Sequence, residues 1–588
     1  MSRSGILLAL LLTLASLLAM AESESVAAEP ESPTGRTAFR PTTSRDTAVR
    51  IPAGTTDLMT EARSLERAGH AGCVDVYFAE LHRRWWRAQE LAGTSDRFSA
   101  AQAAYNECLQ DLLRTGIEHQ RLDASQGLKV RAGGQWTIVP VAHYGFVWTP
   151  ADFQQLTFRD RNQKTSIRRY YAADGWGVPL VVQRQIRPTD PIEQEFYSKS
   201  SFFGATAILK FASSSADGHS SESLPMVLEF HDPLRSRTSG EAPDSLRLAT
   251  DLTAPLAEIL DRTERTYFAG FVTPGEESAA PRLMFLEPYQ PGKVPVVLIH
   301  GLFSDPQSWA DMINDLRATP GFVDHFQLWE FRYPTGSGFL AGATALRREL
   351  HRVVTQLDPH QQDPQLQQLV LIGHSMGGLM AKLQVTYSGE KIWQQVATRP
   401  IEEIQASEAV RMRLTQATYF DPSPNVTRVI FIATPHRGSG IATSVVGGCA
   451  DLLVRTADRD RMMHEQLIRH NPGAFRPAVE RRFPTSVDLL APDSPLLTTM
   501  QKLQISEQVT LHNIIGDISS IPFEEPTDGI VTVRSAEHPR CESTLLLEES
   551  HTWIHREKKA SDEVWRILQL HLQQGRPVLT QARDVDPN

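Results

Sequence analysis

The second half of this sequence predicts an α/β domain on a mostly parallel sheet, preceded by a helical hairpin and a small β-rich domain. Three observations point there. From about residue 283, short buried-type apolar runs alternate with amphipathic helical patterns, the texture of a sheet covered by helices on both faces. Between residues 128 and 271 the texture is short β-type runs split by Gly, Pro and Asp. Between residues 57 and 120 apolar residues recur at helical spacing. A chain of 588 residues is too long for one ordinary core, so two or three units are expected.

The elements follow in order. Arg3 precedes an apolar run from Gly5 to Leu18, interrupted only by Thr13 and Ser16, and then Ala19-Met20-Ala21. This is the layout of a secretory signal peptide over residues 1–21, removed near Ala21. The run falls short of the ~20 residues that comfortably span a bilayer. Export to a periplasm, cell envelope or medium is the expectation. Residues 22–55, rich in Glu, Ser, Ala, Thr and Pro, read as a flexible linker. Residues 56–122 read as the hairpin. Val74, Tyr77, Leu81 and Trp85 form one stripe and Ala100 to Leu113 a second amphipathic run, with a turn at Gly93-Thr94-Ser95-Asp96. Cys73 and Cys108 both fall here; a disulfide between them and two free buried thiols are both open. Cys449 and Cys541 complete the set, and with no CxxC pair the spacing argues against a zinc or dithiol-redox site.

Residues 123–280 form the β-rich domain, with runs such as Trp136–Val141, Val178–Val182 and Ala205–Phe211 and no catalytic constellation. Residues 281–574 form the α/β domain. Its strands are expected at Val296–His300, Gln327–Tyr333, Leu369–Ile372, Val429–Ala433, Val509–Ile515 and Thr544–Leu547. Asp305 is a good N-cap with Pro306 at the first helical position. Trp309, Met312, Ile313 and Leu316 form one helical stripe. Leu346, Leu350, Val353 and Leu357 form a second, and Val564, Ile567, Leu568 and Leu572 a third. Residues 575–588 read as a loose tail.

The chemistry centres on Gly373-His374-Ser375-Met376-Gly377-Gly378, which follows an apolar strand and opens a helix. Average composition gives roughly 0.2 chance G-x-S-x-G matches in a chain this long, so the strand–turn–helix context carries the reading. The turn is sharp enough that a β-carbon at Gly373 or Gly377 would collide with backbone. Ser375 then stands above the sheet edge, with the positive end of a helix aimed at it. His374, adjacent to it, points away and reads as structural support. Acyl transfer needs two N–H donors for the developing oxyanion. Met376 supplies one from its backbone, and the loop after His300-Gly301 the other, from the backbone of Leu302. The carboxylate and base should hang from later strands in the order serine, carboxylate, histidine. Asp528, in a glycine turn, is favoured over Asp517, which directly follows the preceding strand. His551, just past the last strand, is favoured over His555. His300, His436 and His538 read as structural or surface residues.

These motifs resemble the α/β-hydrolase superfamily, specifically the secreted lipase and esterase branch that shades into GPI inositol-deacylase-like proteins. The resemblance spans about Leu283 to His571 and rests on His300-Gly301-Leu302, Gly373–Gly378, Thr434-Pro435-His436-Arg437-Gly438-Ser439, Asp528-Gly529 and Ser550-His551. It implies an α/β-hydrolase fold with a helical cap, made of insertions at about 387–425 and 439–500. Within the second, Ile441–Val446 and Leu452–Val454 would line an acyl pocket or pack the cap. It implies a serine hydrolase needing no cofactor and acting on a small-molecule or lipid ester, with a possible association with a membrane surface or the cell envelope. An amide or thioester hydrolase with the same triad, and a non-catalytic envelope scaffold, are the alternatives. The net charge of −10 without a basic run argues against a nucleic-acid partner.

Overall fold

A computed structural model describes residues 57–574, except 93–94, 133, 188, 213–225, 241–244, 263–279, 303, 305, 336–337, 441–457, 482–488, 493 and 520–524. The expected signal peptide, linker and tail lie outside the described residues. So do Asp305, Cys449 and the stretches Ile441–Val446 and Leu452–Val454. No described helix is long and apolar enough to cross a membrane.

Three helices open the described chain: α1 (Leu58–Arg67), α2 (Cys73–Glu90) and α3 (Ser95–Glu118). The stripe Val74, Tyr77, Leu81 and Trp85 is buried against Tyr105, Cys108, Leu109, Leu112 and Leu113 of α3. Cys73 and Cys108 are free thiols, which corrects the disulfide alternative. The helices run antiparallel, so Arg84 Nη1 donates to the Ala104 carbonyl (2.6 Å) and Cys108 Sγ to the Tyr77 carbonyl (3.4 Å). Cys73 sits beside Thr115 instead. Seven residues separate Thr115 from Cys108, ~10 Å along a helix and beyond the span of a disulfide.

A small three-stranded ribbon (Leu122–Asp123, Gly127–Ala132, Gln135–Val139) leads into a five-stranded sheet. The strands are β1 (Val141–Tyr144), β2 (Gln155–Thr157), β3 (Val178–Gln185), β4 (Ser200–Phe211) and β5 (Met226–His231), in the order β1-β5-β4-β3-β2. The run Trp136–Val141 is therefore two strands, not one. Pro140, which has no N–H to give a ladder, marks the point where the chain leaves the ribbon for the sheet. The sheet packs on the helices through Trp85, Tyr105 and Trp176, whose ring centroids lie 5.1–5.6 Å apart. Tyr105 also donates from its hydroxyl to the Leu209 carbonyl of β4 (2.5 Å). Helix α4 (Ala254–Arg262) follows.

The second sheet has seven strands: β6 (Arg282–Phe285), β7 (Val294–Ile299), β8 (Phe326–Arg332), β9 (Leu369–His374), β10 (Val426–Ile432), β11 (Thr510–Gly516) and β12 (Cys541–Leu547). Their order is β6-β8-β7-β9-β10-β11-β12, parallel throughout except for β6. Each of the six parallel strands lies within three residues of its expected start. The antiparallel edge β6 is an addition. Its Phe285 stacks between Phe196 (4.9 Å) and Trp329 (4.7 Å), which ties the edge to the preceding region.

Helices α5 (Ala310–Ala318), α6 (Phe339–Leu357), α7 (Met376–Leu383), α8 (Glu408–Thr418), α9 (Asp458–His470) and α10 (Lys558–Gln573) accompany this sheet. Pro306 opens a 3-10 turn ending at Trp309 rather than α5 itself. On α10 the buried stripe is Val564, Ile567, Leu568 and His571, whereas Leu572 is exposed. At 3.6 residues per turn, position 571 stays on the inner face and 572 rotates outward. A core of Val296, Leu298, Met312, Val370, Ile372, Ile430, Ile514 and Ile567 lies between sheet and helices. Burying one such side chain stabilises by about 1.5–3 kcal/mol. Residues 387–425 and the described part of 439–500 share a different core, in which Trp393, Ala397, Ile401 and Ile404 pack on Ala474 and Phe475.

Candidate functional site

Ser375 lies between β9 and α7 with φ 53° and ψ −123°, a backbone conformation that costs energy for any residue with a side chain. Neighbouring glycines make it possible. A Cβ on Gly373 would stand 2.5 Å from the Gly378 backbone, and one on Gly377 would stand 2.2 Å from the Ile299 carbonyl oxygen. A Cβ on Gly378 would meet the Thr434 hydroxyl at 1.8 Å. Thr434 therefore requires the second glycine of the Gly377-Gly378 pair, a coupling between two motifs that no local pattern reveals. The elbow is pinned from below by the Ser375 N–H donating to the Ile432 carbonyl of β10 (2.9 Å).

The structure brings together the three side chains singled out above. Ser375 Oγ lies 2.9 Å from His551 Nε2, and His551 Nδ1 lies 2.7 Å from Asp528 Oδ2. With the carboxylate on Nδ1, the neutral ring carries its proton there and presents Nε2 as acceptor to the serine hydroxyl. The other carboxylate oxygen of Asp528 accepts from the Ile530 (2.9 Å) and Val531 (2.7 Å) N–H groups. The His551 N–H donates to the Asp528 backbone carbonyl (3.0 Å). All three residues are buried. The backbone thus fixes the carboxylate before the imidazole meets it.

Asp517 and His555 stand apart from this chain of hydrogen bonds. Asp517 Oδ1 accepts from the Ser519 and Thr527 N–H groups and so braces the loop that carries Asp528. His555 is packed against Trp309 (5.2 Å) and His374 (4.2 Å). His374 donates from Nε2 to the His551 carbonyl (2.9 Å), holding the backbone of that loop. His300 stacks on Tyr333 (4.4 Å), whose hydroxyl donates to the His300 carbonyl (2.7 Å). Burial pushes the His300 imidazole down to about 4 and His555 to about 3, and it lowers His374 as well. These rings are neutral at pH 7.

Met376 is the first residue of α7, and the first turn of a helix leaves its N–H groups without intrahelical partners. Leu302 follows Gly301, and Gly301 is packed on Ser375: a Cβ there would lie 3.0 Å from Ser375 Cβ and 3.1 Å from His374 Nδ1. Both segments chosen for oxyanion donors therefore border Ser375. Sequence reasoning passed over Gly301 as a contact residue, although a glycine at the end of a buried strand was its signal. Among the described residues no group of His, Cys, Asp and Glu is arranged to hold a metal ion.

Residues 296–556 match the model of the Alpha/beta hydrolase family, and this part of the chain has the α/β-hydrolase fold. No curated protein matches the chain. Among solved structures, the mature lipase BlEst2 of Bacillus licheniformis is similar at 14% identity and TM-score 0.30, over 49% of this chain and 98% of that one. Staphylococcus hyicus lipase is similar at 14% identity and TM-score 0.29, over 48% and 97%. EstA of Clostridium botulinum is similar at 13% identity and TM-score 0.28, over 47% and 87%.

Proposed function

We propose that this chain is a serine hydrolase that cleaves carboxylic esters through an acyl-enzyme on Ser375. The observation that carries the reading is the continuous hydrogen-bond chain from Ser375 Oγ through His551 to an Asp528 carboxylate that backbone N–H groups hold in place. In the proposed sequence His551 Nε2 takes the hydroxyl proton as Oγ attacks the acyl carbonyl. Asp528 stabilises the imidazolium. The backbone N–H groups of Met376 and Leu302 hold the oxyanion, and the imidazolium then gives its proton to the leaving alcohol. Water, deprotonated by His551, attacks the acyl-enzyme and releases the acid, and the proton returns to Oγ.

An ester rather than an amide is favoured by the lipase- and esterase-like motif set. The segment Thr434–Ser439 supports a place near GPI inositol-deacylase-like hydrolases. The apolar segment before Ala19-Met20-Ala21 supports export.

The test is fluorophosphonate labelling of the purified protein beside Ser375→Ala and His551→Ala, with turnover of aryl esters, amides and triglycerides. Labelling and ester turnover by the wild type alone are expected. A folded wild type that neither labels nor turns over any of these substrates refutes the reading.

A further inference from the structure

Helix α5 turns Met312, Ile313 and Leu316 toward the core, yet it also buries Asp311, Asn314 and Asp315, each only 1% exposed. Buried carboxylates need partners brought from outside the helix. Here they come from two segments. One is residues 166–171, which precede the five-stranded sheet's central strands. The other is residues 556–561, which continue from the His551 loop into α10.

Arg169 reaches both. Its Nε and Nη2 donate to the two oxygens of Asp315 (2.8 and 2.7 Å), and Nη2 also donates to the Arg556 carbonyl (2.7 Å). Asn314 holds the Arg169 carbonyl (2.7 Å). The Arg168 N–H donates to Asp311 Oδ1 (2.8 Å), while the Arg168 side chain pairs with Glu557. Arg556 answers by donating from Nε to Asp311 Oδ2 (2.6 Å) and from Nη2 to the Ser166 carbonyl (3.2 Å). The guanidinium groups of Arg168 (5.5 Å) and Arg556 (4.6 Å) both lie over the Trp553 ring. From Ser550 to Arg556 the backbone is wound in tight turns, the Ile554 N–H donating to the Ser550 carbonyl (3.0 Å) and the Arg556 N–H to the Trp553 carbonyl (2.8 Å). A wound segment transmits position, so fixing Arg556 fixes His551.

We infer that Arg169, through the Arg556 carbonyl and Asp315, is a positioning residue for His551, and that the region before the α/β-hydrolase fold acts in catalysis by clamping the loop of the base. This rests on the reading of Ser375 and His551 given above. Misplacing a catalytic group by about 1 Å costs up to ~100-fold in rate.

The test uses the full chain. Arg169→Lys keeps a cation beside Asp315, but its ammonium ends one bond short of the Nη2 position and lacks the planar fork that bridges Asp315 and the Arg556 carbonyl. Tyr171→Phe removes another donor to Asp315 (2.9 Å) and leaves Arg556 held. Measured with p-nitrophenyl butyrate, Arg169→Lys should lower kcat about tenfold or more with KM within about twofold, and slow fluorophosphonate labelling equally. Tyr171→Phe should keep the wild-type kcat. If Arg169→Lys does not fold, Arg168→Gln, which releases Glu557, carries the same expectation. Wild-type kcat in the folded arginine variant overturns the clamp, as does an equal fall in Tyr171→Phe. A folded wild type that fails to label overturns the Ser375 reading, and the clamp with it.

Discussion

Gly301→Ala tests the site at its tightest seam. The added methyl would lie 3.0 Å from Ser375 Cβ, 3.1 Å from His374 Nδ1 and 3.2 Å from the His374 carbonyl oxygen. Ordinary van der Waals contact begins near 3.4 Å, so the loop must retreat by a few tenths of an ångström. The elbow cannot move in its place, because Ser375 is held to Ile432 and Gly377 abuts the Ile299 carbonyl. In the proposed mechanism, the retreat carries the Leu302 N–H away from the developing oxyanion. Complete loss of one such donor costs ~100–1,000-fold in kcat, so a partial retreat should cost about 10–100-fold, or ~1.4–2.7 kcal/mol. The binding surface is left in place, so KM should stay within about threefold. Steady-state hydrolysis of a p-nitrophenyl ester, with a thermal melt of the same sample, reads both quantities. Full activity in a folded Gly301→Ala protein would show that the loop after His300 does not hold the oxyanion. Gly377→Ala gives the contrast: its methyl would face carbonyl oxygens at 2.2 and 2.6 Å, and that variant should lose the fold itself.

Further perturbations separate the parts of the argument. Asp528→Asn should keep the fold and lower kcat by ~10³–10⁴-fold, because the amide no longer fixes the imidazole proton on Nδ1; a loss under tenfold in the same ester assay would remove Asp528 from its role. Burial holds His300 and His555 neutral down to about pH 4 and 3, whereas in the unfolded chain they protonate near 6.5. Their contribution is complete above pH 6.5 and is lost as pH falls toward those values, by about 1.4 kcal/mol per unit for each ring. Urea midpoints should therefore drop from pH 7.5 to 5, and unchanged midpoints would contradict the burial. Arg184 is fully buried between Asp152 (3.0 Å) and Glu193 (2.6 Å), so Arg184→Met should cost about 3–5 kcal/mol in urea unfolding, with kcat of the folded fraction unaltered.

The six parallel strands were legible because a strand buried on both faces reads as an unbroken apolar run. Val296–Ile299 and Leu369–Ile372 are of that kind. The elbow was legible because its glycines are obligatory. The edge strand Arg282–Phe285 was not: it is four residues long, and its partners, Phe196 and Trp329, are far away in sequence. The same distance hides the work of Asp311, Asn314 and Asp315, which look like the solvated face of α5 until residues 166–171 and 556–561 are set beside them. Asp528 was legible over Asp517 from its glycine turn; both follow β11, and in the structure only the former reaches the imidazole.

The core shared by Trp393, Ile401, Ile404 and Phe475 draws its side chains from the two insertions and none from the seven strands. Two parts that do not share a core are under separate selection. Residues 390–419 and 462–481 can accumulate exchanges, lengthen or be replaced while the Asn425 carbonyl still accepts from the Leu369 N–H and holds the start of β9 beside β10, on which Ser375 depends. Relatives of this chain should therefore diverge fastest there, and swapping these insertions between relatives is the natural route to altered substrate preference on an unchanged catalytic frame.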